Sequence, residues 1–559
     1  MYGYYSKHNG AKLAACLPGN PPATGSFGIF PGSEQPRFPE NQFVLEKGNQ
    51  IAACCGYVLN DQELIDESGM NSFSQYLLSL SEDTALWDKL SGAYAVARYD
   101  RGRGRLILTN DLLSKQPLYY WICEGDLLFS TSFFQLYEAV KSLGKPLTPD
   151  LMGIAMMNET GVFWEDFTYV KEIHFLAPYR YLAADSNGIR VNTLPFPKLN
   201  REATATEAIS VMDELFTKAV RLQYEKNVRS GHQQLGSLSG GMDSRILLVR
   251  AEQMGYHNDL SFTYSESGSL DMEISHQVAG HYFLPNLFFA MDKGDFLRNR
   301  EGYTAGNEGQ YIYCGATGLL KTIESLDLSN FGLVHTGIGG GEIMGDIISA
   351  NGDDPVGDVN LDTLLSQLHC PDQDGIERLK ACFAAYPSFN VFRQLNDLRT
   401  NTNFKATISH LLPAASPFLY EPFYAYLMTL PISMKGFRKL YYRWVDEKLK
   451  LPYRTTDASL PITTGTLFER YIRLILRYLQ RKVKKKTRYD MNPFDLWFQE
   501  NPKLSTFISD TWKADMQALA SLDPLIQKQL QDAYQAPGVR HRLCVLTSTW
   551  ALKKLFGNP

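Results

Sequence analysis

The residues best suited to chemistry in this sequence lie together in the segment 238–244, Leu-Ser-Gly-Gly-Met-Asp-Ser. Glycines allow a backbone to approach an anionic group closely, and the serines offer hydroxyl groups to it. Asp243 adds a carboxylate, which would repel a phosphate unless a divalent cation lay between the two. The segment therefore predicts a phosphate site at which Asp243 holds Mg²⁺ against a triphosphate. An ordinary tight turn, which glycine and serine also form, is the alternative.

The flanking sequence predicts the elements that would position this loop. Residues 235–238 have the character of a buried strand, and a helix is expected from about Ser244 through Arg250. The N–H groups at the start of a helix point towards a bound anion, so this order favours a phosphate site over a plain turn. Strand and helix patterns alternate to about residue 460, with strands predicted at 260–264, 284–290 and 334–336 and a helix at 271–281. Such alternation predicts an α/β fold with a parallel sheet and helices on both of its faces.

The sequence before residue 195 differs, since short runs of β-branched and aromatic residues alternate there with turn signals. Strands are predicted at 51–59, 93–99, 105–109, 118–123 and 127–131, and a hairpin at 179–183 and 189–192. Residues 194–200 contain two prolines and precede a predicted helix at 204–224. Only helical patterns follow residue 460. We therefore predict three domains, at 1–197, 198–460 and 461–559.

The 559 residues include 44% hydrophobic and 21% charged side chains, with a formal net charge of −5. This composition excludes collagen, a coiled coil, a disordered tail and a small disulfide scaffold, and it predicts no nucleic-acid partner. The eight cysteines form no CxxC pair and the ten histidines no HxxxH pair, which predicts reduced thiols and no catalytic zinc. The first residues lack the features of a signal peptide, and no apolar run approaches the roughly 20 residues of a membrane span. A cytoplasmic protein is the expectation.

Residues 239–244 resemble the pyrophosphate-binding loop of the PP-loop ATP pyrophosphatases, and further segments are similar to motifs of one family. That family comprises the glutamine-hydrolysing asparagine synthetases (asparagine synthetase B), the β-lactam synthetases and the lasso-peptide cyclases. The similar segments lie in order over about residues 1–445, at 56–60, 90–97, 111–120, 127–132, 261–264, 336–345 and 417–419. The resemblance implies an N-terminal class II glutamine amidotransferase domain with the αββα sandwich of the Ntn hydrolases. It further implies a PP-loop domain of the adenine nucleotide alpha hydrolase type, followed by a helical extension.

The resemblance also implies a set of site residues. ATP and its pyrophosphate would be bound by Leu238, Ser239, Gly240, Gly241, Asp243, Ser244, Phe262, Thr263 and Gly337. Asp243 would hold Mg²⁺ together with Glu342 of a second glycine-rich loop. The implied reaction adenylates a carboxylate, releases pyrophosphate and AMP, and forms an amide with ammonia or an amine.

Two departures from the family pattern concern glutamine hydrolysis. Tyr2 stands where active amidotransferases carry an N-terminal cysteine, and a phenol of pKa about 10 cannot replace a thiolate at neutral pH. Cys55-Gly56 replaces the family's Asn-Gly pair, which supplies an oxyanion donor. We therefore predict a degenerate amidotransferase domain without a glutaminase nucleophile, and we assign Cys54 and Cys55 to core packing.

Two further departures concern the synthetase half. Gly341 stands where an aspartate usually precedes the glutamate of the second loop. Residues 451–459 lack the lysine whose charge offsets the anionic transition state. The candidate replacements are Lys439, Arg443 and Arg454.

These observations predict an ATP-dependent carbon–nitrogen ligase that acts on a small-molecule, peptide or saccharide carboxylate without hydrolysing glutamine. Two alternatives stay open: a non-catalytic nucleotide-binding scaffold in a biosynthetic complex, and an intramolecular lactam or lasso-peptide cyclase. Residues 470–488 have a basic amphipathic pattern, which fits a helix packed on the synthetase domain or a peripheral membrane contact. A homodimer is also left open.

Overall fold

A computed structural model describes residues 1–19, 26–32, 36–80, 85–346, 358–370, 372–409, 411–449, 451 and 491–557. The predicted basic segment 470–488 and the candidate Arg454 lie outside these residues. Among the described helices, none combines the length and the hydrophobicity that a bilayer crossing requires.

The described N-terminal residues form two antiparallel sheets that pack face to face. Their strands are β1 Tyr2–Tyr5, β2 Phe27–Phe30, β3 Phe43–Lys47, β4 Gln50–Val58, β5 Gly92–Asp100, β6 Arg105–Asn110, β7 Tyr119–Cys123, β8 Asp126–Ser130, β9 His174–Phe175, β10 Arg180–Asp185 and β11 Gly188–Thr193. One sheet has the order β2-β1-β8-β7-β9 and the other the order β11-β10-β6-β5-β4-β3. Along β4, Ile51 and Ala53 face the opposite sheet while Ala52 and Cys54 face the outer side. Both faces are buried, which explains the nearly continuous apolar run.

Helices cover the outer faces of these sheets. They are α1 Gly10–Ala15, α2 Asp61–Ser68, α3 Phe73–Ser79, α4 Ala85–Asp88, α5 Phe133–Ser142 and α6 Leu151–Thr160, with a short turn at Pro39–Asn41. Helix α3 packs on β4, and α5 packs on β7 and β8. The chain then runs from Thr193 to the next helix at Ala205, so the predicted boundary at residue 197 lies in a connecting segment.

The next described residues form a parallel sheet with helices. The elements are α7 Ala205–Arg229, β12 Gln233–Ser237, α8 Met242–Gln253, β13 Leu260–Ser265, α9 Leu270–Tyr282, β14 Asn286–Ala290, α10 Arg300–Gly306, α11 Tyr313–Glu324, β15 Phe331–His335, α12 Asp358–Gln367, α13 Gln373–Phe383, α14 Phe389–Ser409, β16 Ala414–Ala415, α15 Glu421–Thr429, α16 Ile432–Lys435 and α17 Lys439–Trp444. Short helical turns lie at Asp292–Arg298, Glu342–Asp346, Pro417–Leu419, Gly436–Arg438 and Val445–Leu449. The strand order is β14-β13-β12-β15-β16, with all neighbours parallel. The order reverses between β12 and β15, which is where open parallel sheets bind ligands.

The described C-terminal residues are helical. They form α18 Phe494–Glu500, α19 Pro502–Ala518, α20 Pro524–Gln535 and α21 Val539–Phe556. The Asp515 carboxylate of α19 accepts a hydrogen bond from Lys553 Nζ (2.6 Å) and pairs with the buried Arg300 of α10. Ser548 of α21 donates to Asn158 of α6 at 2.7 Å. The last helices therefore contact both preceding regions, and the predicted combination of antiparallel sheets, parallel sheet and helices is confirmed.

Buried polar contacts join the N-terminal sheets to the parallel sheet. The Tyr57 hydroxyl donates to the Ala414 carbonyl oxygen at 2.7 Å. Lys115 Nζ donates to the Leu419 carbonyl oxygen at 2.9 Å and lies 2.5 Å from Glu421 Oε1. Both side chains of this ion pair are 4% exposed, so the two regions share a desolvated charge pair.

Candidate nucleotide site

The structure places the segment 238–244 as a loop between β12 and α8, at the carboxyl end of the sheet. Strand β12 ends at Ser237, and Gly241 is the N-cap of α8. The Leu238 N–H donates to the Phe262 carbonyl oxygen at 2.9 Å, and Thr263 Oγ1 donates to the Leu238 carbonyl oxygen at 2.8 Å. The predicted nucleotide residues on β12 and β13 are therefore brought together.

Three backbone N–H groups of this loop donate hydrogen bonds to side-chain oxygen atoms of the protein. The Ser239 N–H donates to Ser244 Oγ, and the Gly241 N–H donates to Ser239 Oγ, both at 3.1 Å. The Gly240 N–H donates to Asp271 Oδ1 at 2.9 Å. A carboxylate oxygen at Gly240 presents the same negative charge as a phosphate oxygen, so this loop already stabilises an anion.

A second glycine-rich loop follows β15 and packs directly on the first. A Cβ atom at Gly337 would lie 2.5 Å from both the Asp243 carbonyl carbon and the Ser244 nitrogen, and one at Gly340 would lie 2.4 Å from Asp243 Cγ. Only glycine permits this approach at either position. The two loops thus meet across the point where the strand order reverses.

Asp243 lies at the centre of this contact. Its Oδ2 accepts the Gly341 N–H at 3.0 Å, and its Oδ1 accepts a short hydrogen bond from the Tyr441 hydroxyl of α17. Gly341 therefore contributes its backbone N–H to Asp243. Sequence reasoning missed Tyr441, because nothing in the spacing pairs residues 198 positions apart.

The fit of Mg²⁺ depends on how many carboxylates are available. Among the described residues, no group of three or more His, Cys, Asp or Glu side chains could hold a metal ion. Mg²⁺ is commonly bound through one or two carboxylates plus substrate phosphates, and each carboxylate oxygen has two lone pairs. Asp243 therefore fits a magnesium ion shared with a triphosphate. The predicted second ligand, Glu342, acts on Asp397 of α14: burial raises the pKa of Asp397, and the charge of Glu342 adds to that rise.

The candidate cations differ in their placement. Lys439 is exposed at the start of α17, two residues before Tyr441. Arg443 Nε pairs with Glu447 at 2.6 Å, which directs it to the helix surface. Arg245 was missed, although it follows the loop directly: it is 2% exposed, and its Nε donates to the Gly241 carbonyl oxygen at 3.1 Å. Arg245 is thus a buried cation beside the loop.

His335 is the last residue of β15 and lies at the same edge of the sheet, close to the first loop. Its ring stacks on Tyr224 at 4.0 Å, and its Nε2 lies 2.7 Å from Gln234 Oε1. Burial lowers the pKa of His335 to about 3, so the ring is neutral at pH 7. A neutral imidazole adds no charge beside the loop at 238–244.

The residues at the glutaminase position lie in strands. The Tyr2 hydroxyl donates to the Pro18 carbonyl oxygen at 3.2 Å, and its ring stacks on Phe30. Cys54 and Cys55 lie in β4, and burial raises the pKa of both thiols. Protonated thiols are poor nucleophiles, so burial leaves Cys54 and Cys55 unsuited to nucleophilic attack at neutral pH.

Comparison with known proteins identifies one region of the chain. Residues 35–138 match a family described as a glutamine amidotransferase domain. No curated protein matches the chain. The match confirms the predicted amidotransferase-like domain, whereas the resemblance to the asparagine synthetases stays a prediction.

Solved structures give weaker similarities. The glutamine phosphoribosylpyrophosphate amidotransferase of B. subtilis, complexed with ADP and GMP, is 10% identical with a TM-score of 0.23; the similarity covers 51% of this chain and 64% of that one. The NAD+ synthetase of Burkholderia pseudomallei is 11% identical with a TM-score of 0.18, and the similarity covers 45% of this chain and 99% of that one. At these scores the similarities carry no assignment of activity.

Proposed function

We propose that this protein is an ATP-dependent amide-forming ligase related to the asparagine synthetases. The observation that carries the proposal is the meeting of two glycine-rich loops at the carboxyl ends of β12 and β15. These strands flank the reversal of strand order, where doubly wound sheets bind nucleotides. Hydroxyl groups and backbone N–H groups of the first loop lie there beside the start of α8, and groups of this kind bind phosphates in other proteins.

In the proposed reaction, a substrate carboxylate oxygen attacks the α-phosphorus of ATP and pyrophosphate leaves. An amine nitrogen then attacks the acyl carbon, and AMP leaves with the electron pair of the broken C–O bond. The hydroxyl groups of Ser239 and Ser244 would donate hydrogen bonds to the pyrophosphate. The Gly240 N–H, which now donates to Asp271, would donate to a phosphate oxygen instead. Asp243 would hold Mg²⁺, which supplies charge neutralisation between carboxylate and phosphate. Lys439 and Arg454 stay candidates for the cation at the reacting centre.

The amidotransferase-like domain has a structural role in this proposal. Tyr2 and the protonated Cys55 provide no glutaminase nucleophile, so the nitrogen comes from free ammonia or from a substrate amine. The domain is nevertheless joined to the parallel sheet by the buried Lys115–Glu421 pair. Its loss would remove Lys115 and leave Glu421 without its partner, rather than remove a catalytic group.

A nucleotide-binding scaffold is the second candidate, and one observation favours it. Both oxygens of Asp243 accept hydrogen bonds from the protein, and Asp271 occupies the Gly240 N–H. A loop that satisfies its own polar groups can persist without turnover.

For the ligase, the proposed substrate is a small-molecule, peptide or saccharide carboxylate, or the carboxylate of an intramolecular lactam or lasso-peptide substrate.

Calorimetry with Mg²⁺-ATP and ATP–pyrophosphate exchange across a panel of carboxylates separate these candidates. The ligase predicts binding and carboxylate-dependent exchange, both weakened in Asp243→Asn. Asp510→Asn, on the exposed surface of α19, is the matched control. Binding without exchange for any carboxylate supports the scaffold, and absence of nucleotide binding refutes both.

A further inference from the structure

A cavity of about 520 Å³ lies where α6, α12, α14 and α21 meet, and neither glycine-rich loop contributes a residue to its lining. Its walls come from the N-terminal domain, the helices of the parallel-sheet region and the C-terminal helices. Ligand sites in proteins typically measure about 300–1,000 Å³ and favour such junctions between domains. The volume is therefore suited to a small organic molecule.

One wall of the cavity is apolar and aromatic. Trp164 and Phe392 pack edge to face with ring centroids 6.5 Å apart, and Leu368 lies beside them. Trp164 is 5% and Phe392 1% exposed, so the surrounding packing fixes their positions and only an edge of each ring borders the cavity. A rigid aromatic wall binds a hydrophobic group with little loss of side-chain entropy.

Charges of both signs line the remainder. The Glu159 carboxylate lies 3.6 Å from His369 Nδ1 and 3.8 Å from His541 Nδ1, which exceeds hydrogen-bond distance. Arg540 donates to the Thr160 carbonyl oxygen at 3.0 Å, beside Glu159. On α14, Arg393 Nε lies 3.2 Å from Asp397 Oδ2. The cavity thus offers an acceptor for a cation and guanidinium groups for an anion next to an apolar wall.

We propose that this cavity binds a free α-amino acid with an aromatic or branched apolar side chain. The ligand ammonium would pair with Glu159, its carboxylate with Arg540, and its side chain with Trp164 and Phe392. A pure anion would be repelled by Glu159 and a pure cation by the arginines, whereas a zwitterion satisfies both. This site needs neither nucleotide nor amide formation, so it stands apart from the proposed ligase activity.

Calorimetry with L-phenylalanine, phenylacetate and phenethylamine tests the charge requirement directly. L-Phenylalanine is expected to bind, while each analogue lacks one charged group and should bind at least about tenfold more weakly. L-Leucine should also bind. Equal affinity for all three aromatic compounds, or no binding of either amino acid, overturns the proposal.

Two variants locate the ligand. Glu159→Gln should weaken L-phenylalanine binding at least about tenfold but strengthen phenylacetate binding, because it removes the charge that repels the anion. Arg540→Gln should likewise weaken L-phenylalanine binding but strengthen phenethylamine binding. Glu138→Gln, exposed on the nearby helix α5, is the matched control. Unchanged L-phenylalanine affinity in both site variants refutes this location. If either variant does not fold, the ligand series on the unaltered protein decides.

Discussion

Replacing Lys115 by Met tests whether the amidotransferase-like domain is held by a desolvated charge pair. The change removes the partner of Glu421 Oε1 at 2.5 Å, and that atom keeps a long hydrogen bond from the Gly92 N–H at 3.4 Å. Glu421 Oε2 accepts no hydrogen bond from any described residue. Asp111, also near Lys115, keeps the backbone N–H groups of Leu113, Lys115 and Gln116. The loss of stability therefore comes from the buried Glu421 carboxylate, which no longer has a cationic partner.

These contacts give the expected change in the free energy of unfolding. Removing one partner of a buried ion pair typically costs about 3–5 kcal/mol, whereas replacing both partners with apolar residues is often nearly neutral. Lys115→Met should lower the free energy of unfolding by about 3–5 kcal/mol, and adding Glu421→Leu should restore most of it. The exposed Lys380–Glu377 pair provides the control, since Lys380→Met should cost at most about 1 kcal/mol.

The pH dependence gives an independent readout. Burial raises the pKa of Glu421, and Lys115 opposes that rise. Without Lys115 the folded state therefore binds a proton more readily than the unfolded state. The deficit of Lys115→Met should be smallest below the unfolded-state pKa and should grow as the pH rises through the folded-state pKa of Glu421.

Urea unfolding followed by tryptophan fluorescence, run as a double-mutant cycle at several pH values, measures these quantities. A coupling energy of at least about 2 kcal/mol is expected, against roughly 0.5 kcal/mol or less for independent sites. Additive effects of the two substitutions at pH 7 would refute the reasoning. So would a deficit in Lys115→Met that does not change with pH.

Three further changes have defined outcomes. Gly337→Ala places a Cβ atom 2.5 Å from the Asp243 carbonyl carbon and should weaken Mg²⁺-ATP binding in calorimetry at least about tenfold. Gly280→Ala meets no atom within 4 Å inside helix α9 and should stabilise the fold by about 0.5–1 kcal/mol in urea unfolding. Burial alone would raise the pKa of Asp515, but Arg300 and Lys553 hold it below its usual value. Asp515→Asn should therefore cost about 3–5 kcal/mol at pH 7 and less as the pH falls through the folded-state pKa of Asp515.

Each of these predictions has an outcome that contradicts it. Unchanged nucleotide affinity in Gly337→Ala would mean that the second loop lies away from the nucleotide, and Gly280→Ala serves as its control. Destabilisation by Gly280→Ala would show that the helix is crowded at that point. A deficit of Asp515→Asn that stays constant from pH 7 to pH 3 would show that charge is not the cause.

The sequence predicts the bounds of strands with uninterrupted apolar residues closely and those of other strands less well. The segment 51–59 was predicted from its apolar run and appears as Gln50–Val58. Strand β15 was expected at Val334 but begins at Phe331, because Gly332 weakens the strand pattern. A side chain of α7 stabilises that part of the strand: Asn227 Oδ1 accepts a hydrogen bond from the Leu333 N–H at 2.7 Å. Such a partner, 106 residues away, leaves no local signal.

The same distinction applies to the candidate site. The loop at 238–244 is predictable because glycine and serine chemistry is local, and its strand and helix flank it directly. The Tyr441 hydroxyl and the Lys115–Glu421 pair are not, since each joins residues about two or three hundred positions apart and depends on tertiary packing. The backbone N–H of Gly341 could not be foreseen either, because every residue type except proline carries that group.

The late position of helix α21 in the chain leaves apolar surface exposed while the ribosome synthesises this protein. It covers α6, in which seven consecutive residues from Met152 to Asn158 are buried, and the Tyr137 hydroxyl bonds to the Leu555 carbonyl oxygen 418 positions later. At synthesis rates of about 5–20 residues per second, the intervening chain takes roughly 20–80 s to appear. Throughout that interval the apolar surface of α6 lacks its native cover. The nascent amidotransferase-like domain therefore exposes an apolar helix face that a chaperone can cover until α21 is made.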